Sequence, residues 1–251
     1  MSPASLPDEL AACRRELAHL QREFDGFNYA VAHDLRAPLR AVAGFLEALN
    51  DDYVRQLPAP AQAYLQRALD SAQRSQRMVD ALLRLSRIGS EPLERVATPL
   101  ATLMDEVRQE LMRDVVGREI EWRIGPLPTL PCDRRLCHEA FGHLLANAIK
   151  FTGSQPRARI EVFVQEGSEP PVLIVRDNGV GFNAARAEHL FMPFAQFHPQ
   201  QAFEGIGAGL AIAAKIVRRH GGRIWAESEE GRGATFHVTL ASAAPDIAPS
   251  A

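Results

Sequence analysis

The sequence predicts an α+β protein in which an N-terminal helical hairpin precedes an α/β sandwich with a mixed sheet. Three observations support this fold class: a heptad pattern near the N-terminus, two prolines that interrupt it, and alternating helix and strand patterns beyond residue 99. The chain has 251 residues, 46% of them hydrophobic and 24% charged, as in ordinary globular proteins. One or two domains are expected at this length.

The first segment is predicted to be a long amphipathic helix. Its apolar residues alternate in spacing between four and three positions, which defines a heptad seam: Leu6, Leu10, Cys13, Leu17, Leu20, Phe24, Phe27 and Val31. Pro58 and Pro60 end the helical pattern, and a second one runs from Tyr64 to Leu85. Because one hairpin cannot bury both of its faces, we expect two chains to form a dimeric four-helix bundle. Packing of the seam against the rest of the same chain is the alternative.

The second half of the chain alternates between helices and strands. Composition changes at 89–92, where glycine, serine and proline are typical of a connecting segment. Helices are expected at 100–111, 133–151 and 208–220, and strands at 119–124, 159–164, 172–175, 223–227 and 234–240. The predicted organisation is a coiled-coil helix start at 1–22, a hairpin at 23–88, a linker at 89–99, a second domain at 100–242 and a disordered tail at 243–251.

Charge and composition exclude several classes of function. The formal net charge of −3 gives no electrostatic reason to expect a nucleic-acid partner. No apolar run is long enough for a membrane span, and the N-terminus lacks a secretory signal. Three cysteines, Cys13, Cys132 and Cys137, form no C-x-x-C pair and suit a reducing compartment. A cytoplasmic location is therefore expected.

His33 and Asp34 are the first candidate functional residues. Val31 belongs to the heptad seam, so His33 lies about 200° further around the helix and should face solvent. A neutral imidazole is a competent nucleophile when a neighbouring group orients it and takes its proton, and Asp34 supplies a carboxylate. Taken alone, a surface histidine beside an aspartate is usually part of a plain solvated helix face.

A second group of candidates has residue types suited to nucleotide binding. Asn147 and Lys150 share one helix face, where an amide oxygen can ligate Mg²⁺ and an ammonium group can contact phosphate. Asp177 follows an apolar strand and could accept a hydrogen bond from an exocyclic amine. The segment that follows it, Asn178-Gly179-Val180-Gly181-Phe182, is also a strong turn signal.

A glycine-rich helix start completes the set of motifs. Gly205, Gly207 and Gly209 alternate before the predicted third helix, so their amides could face an anion at the positive end of its dipole. Between this motif and the aspartate turn lies a segment with Phe191, Pro193 and Phe194, which is typical of a mobile lid or of a plain surface loop.

The order of these motifs closely resembles the transmitter core of sensor histidine kinases. The segment 33–39 resembles that family's phosphoacceptor box, and 146–152, 177–182, 190–194 and 205–210 resemble its four ATP-site boxes. The segment 219–228 is similar to phytochrome-like members. The resemblance covers about residues 20–242.

The resemblance implies a dimerisation and histidine phosphotransfer hairpin followed by an ATP-binding domain of the Bergerat type. The adenine amine would bind Asp177, Mg²⁺ would lie near Asn147, and the phosphates would lie near Lys150 and the loop amides. His33 would attack the γ-phosphoryl group while Asp34 polarises the ring and accepts its proton. The remaining implied ATP-site residues are Phe151, Gly179, Gly181, Phe182, Phe194, Gly205, Gly207, Gly209 and Leu210.

The resemblance also implies partners. The phosphoryl group would pass to an aspartate in the receiver domain of a separate response regulator, and the kinase would act as a homodimer. A sensory or input partner could act through the N-terminal seam, or the chain could be a piece of a longer sensor.

The sequence departs from the family pattern at four positions. His143 replaces the first asparagine of the usual pair, Gln196 a frequent lid arginine, Ile206 a threonine, and Ala37 a threonine or asparagine that orients water. Ala37 predicts weak phosphatase activity toward the regulator. The other three keep an alternative open, a non-catalytic dimeric scaffold or phosphotransfer adaptor with a degraded ATP site. A different Bergerat-fold ATPase would leave the histidine helix unexplained.

Overall fold

The computed structural model describes residues 6–195 and 205–241, and the chain divides into two compact units between Glu91 and Pro92. The predicted tail at 243–251 and the lid position Gln196 lie outside the described residues. Within the described ranges, we find no helix that is both long and apolar enough to cross a membrane.

The first unit is the predicted helical hairpin. Helix α1 runs from Leu6 to Tyr53, a 3-10 turn follows at Val54–Gln56, and helix α2 runs from Ala59 to Ser90. Pro58 precedes α2 and Pro60 lies in its first turn, where a missing amide costs no helical hydrogen bond. The two prolines therefore mark the start of α2, whereas α1 ends earlier, at Tyr53.

Side chains on both helices hold the hairpin in register. Ala32 of α1 is fully buried in a cluster with Val79 and Leu83 of α2. The Arg36 guanidinium donates two hydrogen bonds to the Asp80 carboxylate, at 2.7 and 3.1 Å. Among the described side chains of the heptad seam, Leu17, Phe24 and Phe27 are between 63% and 67% exposed. An exposed seam is what a dimeric bundle requires, because a second chain would cover it.

The second unit combines two sheets with three helices. Its elements are β1 (Arg95–Pro99), α3 (Leu100–Met112), β2 (Ile120–Ile124), β3 (Thr129–Asp133), α4 (Arg134–Phe151), β4 (Ala158–Val164), β5 (Val172–Asp177), a 3-10 segment (Ala184–His189), α5 (Gly209–Arg219), β6 (Ile224–Glu229) and β7 (Gly233–Thr239). The main sheet has the order β2-β4-β5-β7-β6, parallel only between β2 and β4. The predicted mixed sheet and all eight predicted elements of this half are confirmed.

The predicted linker at 89–99 is wrong at both ends. Helix α2 continues through Ser90, because the Glu91 amide still donates to the Arg87 carbonyl before Pro92 stops the helix. Strand β1 occupies the other end and pairs antiparallel with β3, which the sequence did not predict either. Both strands have five residues and find their hydrogen-bond partners far away in the chain, so neither has a local signal.

One face of the main sheet carries the core. Alternate strand residues point toward the helices, and Val162, Val175 and Val238 are fully buried there. Helix α4 packs against both α3 and α5, and its Leu144 and Leu145 are fully buried. Burial of each such side chain contributes about 1.5–3 kcal/mol. The core thus fixes α4, whose other face carries the predicted site residues.

A buried histidine joins α5 to the start of α4. The ring of His220 accepts a hydrogen bond at Nε2 from the Asp133 amide at 3.0 Å and donates from Nδ1 to the Ile216 carbonyl at 2.8 Å. This pattern assigns the neutral tautomer. Burial lowers the pKa of His220. The Asp133 carboxylate in turn caps α4 by accepting from the Leu136 amide at 3.0 Å.

Candidate functional site

His33 stands on the solvent-facing side of α1, as predicted. Its side chain is 63% exposed, while the preceding Ala32 is buried against α2 and sets the rotation of the helix. Nδ1 of His33 lies 3.3 Å from Oδ1 of Asp34, and the ring stacks on Tyr29 one turn earlier. When Nδ1–H donates to this carboxylate, the lone pair is on Nε2, which makes Nε2 the nucleophilic atom. Ala37, one turn further on, is exposed.

Helix α4 presents three polar side chains along the segment that leads into α5. A methyl group built on Gly205 would lie 3.2 Å from the Lys150 ammonium nitrogen, and one built on Gly209 would lie 3.0 Å from Nδ1 of His143. Asn147 lies between these two residues on α4. Lys150 and His143 therefore bracket the glycine segment, with the Asn147 amide between them.

Asn147 and Lys150 differ in their surroundings. Within the described ranges the half-buried Asn147 side chain forms no hydrogen bond, so its amide oxygen is available to a ligand. Such an oxygen is a hard donor of the kind that Mg²⁺ accepts. The Lys150 ammonium lies 4.7 Å above the ring of Phe151, the last residue of α4. Phe151 thus supports the lysine, which is the site's cation for an anionic ligand.

Gly207 links the two described ends of the predicted lid segment. The Phe194 amide donates to the Gly207 carbonyl at 2.9 Å. Gly207 has φ +75°, and a side chain there would place Cβ 2.4 Å from the Ala195 carbonyl oxygen. Only glycine fits this position. Leu210 is the second residue of α5, and Ile206 is half-buried.

Asp177 is a buried carboxylate at the end of β5. It is 5% exposed, and its Oδ1 accepts hydrogen bonds from the amides of Gly179 at 2.8 Å and Ala234 at 3.4 Å. Burial raises the pKa of Asp177 to about 6, against the opposing effect of the two amides. A carboxylate kept in so costly an environment is typical of a ligand-binding residue.

The glycine turn after Asp177 packs between α4 and β6. The Val180 amide donates to the Phe151 carbonyl at 3.1 Å, which joins the turn to the end of α4. A Cβ on Gly179 would approach the same carbonyl to 2.6 Å. Gly181 has φ +63°, and a Cβ there would clash with the Glu229 carbonyl. Phe182 is buried and its amide donates to Ser228 Oγ at 2.9 Å. These contacts fix the backbone of the glycine turn that follows Asp177.

Two residues that position the end of α4, Arg118 and Thr152, were not among the predicted site residues. The Arg118 guanidinium donates to Thr152 Oγ1 and to the Ile149 carbonyl, both at 2.7 Å. The buried Thr152 hydroxyl also donates to the Ala148 carbonyl at 2.7 Å. These bonds hold the end of α4 that carries Lys150. Thr152 lies two residues after the N-x-x-K motif, whereas nothing in the sequence around Arg118 indicates this contact.

The assembled groups suit a nucleotide. A buried carboxylate can accept from an exocyclic amine, an ammonium and the amides at the start of α5 can contact phosphate, and an amide oxygen can hold a hard cation. His33 belongs to the other unit and is the nucleophile candidate.

Two family models match the chain. One, described as the histidine kinase-, DNA gyrase B- and HSP90-like ATPase, matches residues 132–244. The other, the His Kinase A phospho-acceptor domain, matches residues 25–91. Each match lies within one structural unit.

Individual proteins match along nearly the whole chain. It is 37% identical over 236 residues to cyanobacterial phytochrome B of Nostoc sp., covering 93% of the chain and 31% of that protein. It is 30% identical over 244 residues to the adaptive-response sensory kinase SasA of Synechococcus sp., covering 94% of the chain and 64% of SasA. The chain spans about a third of the length of the curated phytochromes it matches.

The fold also matches a solved structure. Full-length ShkA in complex with AMPPNP aligns with a TM-score of 0.61 and 24% identity, over 87% of this chain and 47% of ShkA. At this level of identity the likeness concerns the fold.

Proposed function

This chain belongs to the histidine kinases, and we propose that it phosphorylates its own His33 from ATP and then passes the phosphoryl group to a response regulator. One observation carries the proposal. An exposed histidine paired with a carboxylate lies on a phosphoacceptor hairpin, and the same chain continues into a unit with a buried aspartate, a lysine and a glycine-shaped helix start.

In this proposal the second unit binds ATP through groups of both charges. The adenine amine donates to the carboxylate of Asp177. Because this carboxylate is buried, a ligand that cannot donate this hydrogen bond should bind more weakly. The phosphates lie between Lys150 and the amides of Gly207 and Gly209. Phe151, Gly179, Gly181, Phe182, Phe194, Gly205 and Leu210 shape the surrounding walls.

Asn147 fits Mg²⁺, because its half-buried amide oxygen has no hydrogen-bond partner within the described ranges. When bound with ATP, Mg²⁺ would neutralise charge on the phosphates and assist the departure of ADP. Asn147 is one ligand that the chain supplies, and Lys150 adds a positive charge.

His33 and Asp34 perform the chemical step in this proposal. Nε2 of His33 forms a bond to the γ-phosphorus, the bond from that phosphorus to the β,γ-bridging oxygen breaks, and ADP leaves. The Nδ1 proton passes toward the Asp34 carboxylate, 3.3 Å away, which removes the positive charge that the ring would otherwise carry after the attack. A receiver-domain aspartate of the separate response regulator then attacks the same phosphorus, and the N–P bond breaks.

We propose that the active form is a cytoplasmic homodimer. The uncovered heptad seam needs a partner helix, and a second copy supplies an identical one. An input partner that binds the N-terminal part of this seam would shift the conformational equilibrium of the same helices. Cytoplasmic placement follows from the need for ATP and suits three cysteines that are all free. No observation favours the non-catalytic scaffold, since the nucleotide-site residues Asn147, Lys150 and Asp177 are all in place.

The test is incubation of the purified chain with γ-labelled ATP and Mg²⁺, beside His33→Ala and Asn147→Ala. Acid-labile, base-stable label is expected in the unmodified chain and in neither of these two variants. His19→Ala is the matched control, because His19 is also exposed on α1 and also pairs with a carboxylate, Glu23 at 3.6 Å. It should keep its label. Label that persists in His33→Ala, or a folded dimer that takes no label, would overturn the kinase proposal.

A further inference from the structure

His143 occupies an unusual position beside the nucleotide site. It precedes Asn147 by one turn on the same face of α4, and Nδ1 of its ring lies beside Gly209, the first residue of α5. The ring is half-buried, so its orientation is restrained by packing. An imidazole and an amide therefore stand side by side where the proposed phosphates and their cation would bind.

We propose that His143 and Asn147 act together as ligands of the divalent cation that accompanies ATP, and that His143 makes this site prefer Mn²⁺ and Co²⁺ over Mg²⁺. The inference rests on the proposed nucleotide site and names the cation that this site selects.

The spacing of the two residues supports joint ligation. Side chains four residues apart on a helix have Cβ atoms about 6 Å from each other, which lets both reach one ion between them. The same spacing serves paired metal ligands on single helices in metalloenzymes. Lys150 contacts the opposite end of the glycine segment, near Gly205, so its positive charge lies away from the His143 end.

The chemistry of the two ligands determines the preference. Mg²⁺ requires oxygen ligands in a strict octahedron and gives up water reluctantly. First-row transition ions accept imidazole nitrogen readily, and their affinity for such ligands rises from Mn²⁺ to Co²⁺. One nitrogen donor beside one amide oxygen therefore favours Mn²⁺ and Co²⁺, and ATP oxygens can complete the coordination of either ion.

The test measures nucleotide affinity rather than turnover. AMPPNP is titrated into the full chain by calorimetry with Mg²⁺, Mn²⁺ or Co²⁺, each at a concentration that saturates the nucleotide. We expect AMPPNP to bind at least about tenfold more tightly with Mn²⁺ or Co²⁺ than with Mg²⁺, and His143→Asn to bring this ratio close to one. His138→Asn is the matched control: His138 lies on another face of α4, near Glu110 at 3.4 Å, and the substitution should leave the ratio unchanged.

A spectroscopic measurement keeps the proposal testable even if the variant folds poorly. Electron spin-echo spectra of Mn²⁺ with AMPPNP and the unmodified chain should show coupling to an imidazole nitrogen. Absence of that coupling, or a His143→Asn effect of equal size with every cation, would show that His143 contacts phosphate or only packs, and would overturn the inference. Failure to bind AMPPNP with any cation would instead overturn the proposed function.

Discussion

Replacement of Asp177 by asparagine should stabilise the second unit at neutral pH and weaken its binding of ATP. Burial raises the pKa of Asp177 from 3.8 to about 6. At about 1.4 kcal/mol per unit, keeping this carboxylate ionised in the folded chain costs roughly 3 kcal/mol above pH 7. Asparagine carries no charge, and its Oδ1 can still accept from the Gly179 amide, which lies 2.8 Å from the carboxylate oxygen.

The pH dependence of this effect has a definite sign. Because the folded pKa lies above the unfolded one, the wild-type carboxyl group binds its proton more tightly in the folded chain. Its favourable contribution is complete below pH 3.8 and is lost as the pH rises through about 6. The Asp177→Asn variant should therefore be more stable than the wild type by about 3 kcal/mol near pH 8, and nearly equal to it near pH 4.

The assay is urea unfolding followed by tryptophan fluorescence. Both tryptophans, Trp122 and Trp225, lie in the second unit, so the signal reports that unit alone. Nucleotide titration of the same variant should show a loss of about 10- to 100-fold in affinity, the usual value of a hydrogen bond to a charged group. A variant no more stable than the wild type at pH 8, or a stability difference independent of pH, would refute the reasoning.

Three other substitutions test separate parts of the molecule. Gly207 has φ +75°, and a Cβ there would lie 2.4 Å from a carbonyl oxygen. Gly207→Ala should therefore abolish saturable nucleotide binding in a titration. Its control Gly142→Ala, inside α4 with open space around it, should raise the thermal midpoint by the equivalent of about 1 kcal/mol. Ala37→Thr should speed dephosphorylation of the phosphorylated regulator, since a hydroxyl can orient water; an unchanged rate would contradict the weak phosphatase activity expected of the wild type. Because burial lowers the pKa of His220, the wild type should lose stability relative to His220→Gln as the pH falls below 6.5, and parallel urea midpoints would disprove this.

The sequence predicted those features whose signal lies within a single element. The helix expected at 133–151 is found at Arg134–Phe151, because its apolar spacing and its Asp133 cap are local. The exposure of His33 followed from its offset from the heptad seam. The family resemblance required only the order of short motifs, and the matches at 25–91 and 132–244 agree with it.

Features that depend on distant partners were not predictable in this way. Strands β1 and β3 exist because they pair with each other across the intervening helix α3 and strand β2, and the C-terminal part of the linker expected at 89–99 was wrong for that reason. The bonds from Arg118 to the end of α4 likewise join residues far apart in sequence.

Composition and motif order alone thus determined the fold class and the types of residue in the candidate site, since periodicity and turn chemistry are properties of neighbouring residues. Only the tertiary structure decided the pKa values and the contacts of those residues. The raised pKa of Asp177 comes from burial at the end of β5, and the position of His143 against Gly209 comes from the packing of α4 on α5. Desolvation and close contact depend on every element that surrounds a group, so they arise only once the chain has folded.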